Sequence, residues 1–114
     1  MNVHCTWRFA VSGGAGSEEY LPGLDRVMEH LLDIEAEDLR LSDSALAFDA
    51  EAGVVEVSIT SDGVTLDEAL VQADHAVRSA IDAAGGSTPN WASQERLIES
   101  ENSVMFTHGQ LLVS

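Results

Sequence analysis

The sequence predicts an α+β fold in two layers, a sheet covered on one face by two helices, and three observations carry the prediction. Residues 3 to 11 alternate between apolar and polar without a break. Two further alternating runs follow at 42–49 and 54–60. Two other stretches repeat their apolar residues at the 3.6-residue period of a helix. The order is strand, helix, strand, strand, helix, with a further strand expected near the end.

In the first run Val3, Cys5, Trp7, Phe9 and Val11 point one way, and His4, Thr6, Arg8, Ala10 and Ser12 the other. Gly13 to Ser17 then reads as a flexible loop, followed by a turn at Ser17 to Tyr20. Leu24, Val27, Met28 and Leu31 repeat at helical spacing, with Pro22 suited to an early helical position and Leu32 and Ile34 widening the stripe, so a helix is expected over 22–35. Leu46 and Phe48 oppose Ala45 and Ala47 in the second strand, and Val55, Val57 and Ile59 oppose Glu56, Ser58 and Thr60 in the third. Ala50 to Gly53 makes a hairpin turn between them, and Ser61 to Gly63 turns the chain into the second helix.

That helix is the most completely specified element. Leu66, Ala69, Leu70, Ala73, Val77, Ala80, Ile81 and Ala84 form one stripe from Thr65 to Gly86. Thr65 and Glu68 read as a capping box, and Gly85-Gly86 offers a C-terminal residue that tolerates positive φ. Beyond it, 87–90 is expected as loop and 96–101 as a fourth strand, with a short helix near 93–99 as the competing reading. Val104 to Val113 reads as a terminal hairpin turning at His108-Gly109.

Two βαβ units sharing a hairpin give a ferredoxin-like βαββα(β) sandwich with an antiparallel sheet and both helices on one face. The expected core is 1–91, and 92–114 is a C-terminal extension, either packed on the same domain or forming an oligomer contact. Its residues Val104, Met105, Phe106, Leu111, Leu112 and Val113 are too apolar to stand in water.

The stretch Ala52 to Ile59 and the run Ala76 to Trp91 resemble small actinobacterial proteins with a ferredoxin-like βαββα core. The resemblance spans residues 7–91, about three quarters of the chain, and implies the fold without implying an activity. A lysine-free, alanine-rich, acidic composition agrees with a GC-rich genome.

The charge is the most unusual bulk property: 20 acidic residues against 5 arginines, a net charge of −15. Such a surface repels phosphate and anionic lipid, so direct nucleic-acid or membrane binding is not expected. No run is long and apolar enough to span a bilayer, and the N-terminus lacks a signal-peptide pattern. A single cysteine, Cys5, fits a reducing compartment, and a cytoplasmic location is expected.

Patterns that would carry chemistry are incomplete. After the first strand Gly14-Ala15-Gly16-Ser17 suggests a phosphate cradle, yet Glu19 holds the third glycine position and Glu18-Glu19 bring negative charge. His4, Cys5, His30, His75 and His108 do not pair at metal-ligand spacings. Asp49, Glu51 and Gly53 lack the remaining ligands of a calcium loop. Serine lies in no nucleophile elbow, and a thiol buried without cationic neighbours is a poor nucleophile. No catalytic, cofactor or metal residue is therefore assigned.

What remains is a non-enzymatic interaction module for a basic protein partner, with homodimer formation expected. Its acidic face is expected at Asp67, Glu68, Asp74 and Asp82 of the second helix and at Asp25, Glu29 and Asp33 of the first. Trp91, Phe106 and Leu111 are candidate apolar contacts. Two alternatives stand beside it: an ACT-like small-molecule sensor built from paired units, and a nucleic-acid mimic of antitoxin or anti-defence type.

Overall fold

The computed structural model describes residues 1–11, 21–49, 51–86, 95–100 and 103–111. The expected loop and turn at 13–20, Ser12, Ala50, 87–90 and Trp91 lie outside the described residues. Seven elements follow in order: β1 (Asn2–Val11), α1 (Leu21–Glu37), β2 (Leu41–Asp49), β3 (Val54–Asp62), α2 (Leu66–Ala83), β4 (Glu95–Ser100) and β5 (Ser103–Leu111). The strands form one five-stranded sheet in the order β2-β3-β1-β5-β4, and the fold is α+β.

Sheet register explains the alternation read in the sequence. Cys5, Trp7 and Phe9 stand opposite Ile59, Val57 and Val55 of antiparallel β3, so all six share the face that the helices cover, and all are buried. The other face carries His4, Arg8, Ala10, Ala45 and Ala47 in the open and Thr6, Glu56, Ser58 and Thr60 half-exposed. On it, neighbouring partners meet: Arg8 Nε lies 3.8 Å from Glu56 Oε1, and His4 Nδ1 lies 3.2 Å from Thr60 Oγ1. β2 changes register between Ser42 and Ala45, where Asp43 takes φ 53°, and this bulge keeps Leu41, Leu46 and Phe48 on the helix side.

The expected antiparallel sheet is corrected to a mixed one. β5 lies beside β1 and runs parallel to it, with Val104 opposite Cys5 and Phe106 opposite Trp7. β4 pairs antiparallel with β5 at the edge. β5 thus takes the place next to β1 that a ferredoxin-like order gives to the fourth strand. The expected turn at His108-Gly109 is corrected as well, because β5 continues through both residues, with a register shift where Phe9 and Val11 face His108 and Leu111. The hairpin joins Ser100 to Ser103 instead. Phe106 explains the difference: its ring stacks on Trp7 with centroids 4.7 Å apart, and a reversal two residues later would take the strand away from β1.

α2 follows its sequence stripe closely. Ala69, Leu70, Ala73, Ala76, Val77, Ala80 and Ile81 are buried, while Leu66 is only partly so. Its caps differ in one detail from the expectation. Thr65 Oγ1 accepts from Glu68 N at 3.1 Å, but the Glu68 carboxylate reaches one residue further back, accepting from Val64 N at 3.3 Å. At the other end Gly85 has φ 84°, with Gly86 N bonded to Ile81 O at 2.9 Å and Gly85 N to Asp82 O at 3.0 Å, a Schellman motif. α1 packs against α2 and β2, burying Leu24, Val27 and Leu31. Leu32, expected in that stripe, points outward with 52% of its surface exposed, because it lies on the solvent side of the helical turn that buries Leu31.

Burial also fixes the chemistry of Cys5. It is fully enclosed, and removal of the thiolate from water pushes its pKa from an ordinary 9.0 up to about 12. The folded state therefore favours the neutral thiol. This contribution is intact below pH 9 and is lost as the pH rises from 9 towards 12, where the unfolded thiol ionises first. Iodoacetamide at pH 8 is expected to modify native Cys5 at the rate of unfolding, and full reactivity is expected in urea. Rapid labelling of the native chain would overturn this assignment.

Candidate functional site

Backbone hydrogen bonds bring five chain segments to one end of the sandwich. β1 starts there, α1 ends, β2 begins, β3 ends and α2 starts. Asp62 N donates to Arg40 O at 2.8 Å, Leu41 N to Asp38 O at 3.1 Å, and Gly63 N to Met1 O at 3.0 Å. Gln72 ties the end of β3 to the first turn of α2: its Nε2 donates to Asp62 O at 3.3 Å and Glu68 O at 3.2 Å, while its Oε1 is buried with no partner.

Both helices carry carboxylates to this end. Glu35, Glu37 and Asp38 come from the end of α1, Asp62 from β3, and Asp67 and Glu68 from the start of α2. Arg40 is the one arginine of these segments and folds onto Asp38 in a two-pronged pair, Nε to Oδ1 and Nη2 to Oδ2, both at 2.9 Å. The guanidinium beside it holds the Asp38 carboxyl below its ordinary range, chiefly through the side-chain hydrogen bond.

Apolar side chains accompany this charge. Leu39 is 99% exposed, Val64 85% and Val71 68%, a high degree of exposure for large aliphatic residues. Val71 borders a cleft of about 320 Å³ between α1 and α2, lined by the apolar Ile34, Leu41 and Ala76 and by Asp38, Arg40, Gln72, His75 and Ser79. On the opposite side of α2 it borders a shallower depression of about 190 Å³ with Leu70, Asp74 and Phe106.

The sequence-predicted site residues divide among several places. Asp67 and Glu68 lie at this acidic end, and Asp74 and Phe106 share the adjoining depression. Phe106 is itself only 6% exposed, so its ring faces chiefly inward. Asp82 and Asp25 are exposed at the other end of the helix layer, where Arg26 Nε of α1 donates to Ala84 O at 3.5 Å. At 1.5 Å per residue Asp82 lies roughly 22 Å along α2 from Asp67. Glu29 and Asp33 are exposed along α1 between the two ends. Leu111 stands opposite Val11 in β5, and Trp91 lies outside the described residues.

Leu39, Val64 and Val71 went unmarked in the sequence reading. The available signal was their position: each is a large aliphatic outside the buried stripes, Leu39 between Asp38 and Arg40, Val64 ahead of a helix cap, and Val71 one residue beyond Leu70. Among the described residues, no three His, Cys, Asp or Glu side chains converge on a point, and no helix is long and apolar enough to cross a membrane. Compared with known proteins, the chain matches no family model, no curated protein and no solved structure.

Proposed function

We propose that this protein is a small, non-enzymatic interaction module that binds a basic segment of a partner protein through the acidic end of its helix layer. One observation carries the reading: carboxylates gather where helix stability does not ask for them. Asp67 and Glu68 sit in the first turn of α2, where negative charge is favourable. Glu35 and Glu37 stand in the last turn of α1, where the helix dipole is already negative and no basic residue is present. These two cost local stability, whereas Asp38 just beyond them is held by Arg40, and they support a role in recognition beyond solubility.

Charge segregation supports the same reading. α1 and α2 together carry nine carboxylates against two arginines, whereas the exposed face of β1 and β3 pairs Arg8 with Glu56 and is otherwise small and polar. The helix layer thus suits a cationic partner, and the open sheet face suits a second copy of a chain whose charge elsewhere opposes self-association. The β2-β3-β1 order beneath two helices supports a ferredoxin-like reading of the βαββα part, and the enclosed Cys5 thiol suits a reducing cytoplasm.

The test is titration with a 12-residue lysine-rich peptide. Affinity is expected to fall about tenfold between 50 and 300 mM salt, chiefly through the association rate. Glu37→Gln with Asp67→Asn should weaken binding several-fold more than Asp25→Asn with Asp82→Asn at the other end. Binding indifferent to salt, or equally sensitive to both pairs of substitutions, would remove the basis of the proposal.

A further inference from the structure

We infer that the cleft between α1 and α2 seats one large apolar side chain of an amphipathic, lysine- or arginine-bearing segment of a partner protein; this rests on the reading of the acidic end as the binding surface and specifies what it binds.

The exposed aliphatics are the first ground. Folding leaves Leu39, Val64 and Val71 in water although α2 and β3 have a buried stripe available to them, and all three belong to segments that meet at the same end of the sandwich. Single exposed apolar residues are ordinary, but Val71 borders a concave, largely apolar cleft, and Leu39 and Val64 stand on segments that meet at the same end. At about 320 Å³ the cleft is at the small end of ligand pockets, a size suited to one leucine, phenylalanine or methionine side chain with its flanking backbone.

The charge around the cleft selects the rest of the occupant. Asp38 lines the cleft together with Arg40, which holds it, while Asp62 and Glu68 on the adjoining segments accept from the Met1 ammonium and from Val64 N. Six carboxylates against these two cations leave this end negative, and a purely apolar partner would leave that excess charge unmatched. An anionic ligand meets the same carboxylates with repulsion. A second copy of this chain brings a charge of −15 and would face carboxylate with carboxylate. A segment with basic residues flanking an apolar anchor satisfies both features. Arg40 already displays the expected contact, a guanidinium held in a two-pronged pair by Asp38 with its own chain as the source. Val71 then borders the seated anchor, and Leu39, between the cleft-lining Asp38 and Arg40, adds apolar contact at its rim, where exclusion of water favours an interface hot spot.

The experiment compares two 12-residue helical peptides, each with six lysines, one with leucine and the other with glutamine at the remaining amphipathic positions. Calorimetric titration of the full chain is expected to show the leucine peptide binding at least tenfold more tightly. In a Leu39→Gln, Val71→Gln variant, whose changes are on the surface, that preference is expected to shrink below threefold while the glutamine peptide binds as before. Amide shifts on the unsubstituted chain should centre on Ile34, Val71, Gln72 and Ser79. If both peptides bind equally, or the leucine preference survives the double substitution, the cleft is not the anchor site and the acidic-surface proposal stands alone. If neither peptide binds, both fall.

Discussion

Replacing Trp7 with alanine is expected to cost about 3.5–6.5 kcal/mol of folding stability, a large share of what holds the chain folded at 25 °C. Trp7 is wholly enclosed in the middle of β1, opposite Val57 on one side and Phe106 on the other. Truncating a buried tryptophan to alanine removes its transfer energy and leaves a cavity, together about 3–5 kcal/mol. The stacked Phe106 ring, 4.7 Å away and nearly parallel at 9°, adds an aromatic contribution of about 0.5–1.5 kcal/mol. Domains of this size hold about 5–15 kcal/mol in total, so the loss takes between about a quarter and all of the margin. Urea unfolding should show a lower midpoint with an unchanged slope. Phe106→Ala should cost nearly as much, and the double substitution less than the sum, because the two rings share one contact. A loss below about 2 kcal/mol would mean that β5 is not held to β1 through this pair.

This pairing is also where the sequence became least legible. Alternation identified β1 and its buried residues, because a period of two directly reports which side chains face the core. The same reasoning correctly opposed Val55, Val57 and Ile59 to Glu56, Ser58 and Thr60. It does not report which strand lies alongside, and Val104 to Phe106 alternate no differently beside β1 than they would in an isolated hairpin. His108-Gly109 has the composition of a two-residue turn, but pairing with β1 and stacking on Trp7 outweigh that local preference.

The two helices were legible for a different reason. Their stripes and caps are local, and the Thr65 hydroxyl and the glycines after Ala84 act within a few residues of their own positions. The acidic end was only half legible. Asp67 and Glu68 declare themselves as first-turn residues, whereas Asp38, Leu39 and Val64 become neighbours only when β2 and β3 are in register and the start of α2 is drawn down beside them. No spacing rule places residues 39 and 64 at the same end of a sheet.

Drawing α2 down is the work of Gly63, and Gly63→Ala is expected to be the most damaging single change outside the Trp7–Phe106 pair, at about 2–4 kcal/mol. A Cβ at this position would lie 2.6 Å from Ala69 N and 3.0 Å from both Ala69 Cα and Thr65 O. All three are backbone atoms at the start of α2, so no side chain can swing aside to relieve the clash. The helix must shift instead, and Thr65, which caps it, shifts with it. Overpacking accounts for about 1–3 kcal/mol of the loss, and a weakened cap adds about 1 kcal/mol. Gly85→Ala is the informative control. Its φ is 84° with open space around it, so it should cost only about 1–2 kcal/mol of backbone strain and leave the other end of α2 unmoved. Thermal melting should place Gly63→Ala roughly 10 °C below the unsubstituted chain, with Gly85→Ala in between. Peptide affinity separates the two more sharply: Gly63→Ala moves Val64, Glu68 and Val71 away from Asp38 and Ile34 and should weaken the leucine peptide, while Gly85→Ala should leave its affinity unchanged. A Gly63→Ala chain of unaltered stability would show that α2 tolerates a higher seat, and close approach of backbone to backbone would then no longer account for the shape of the acidic end.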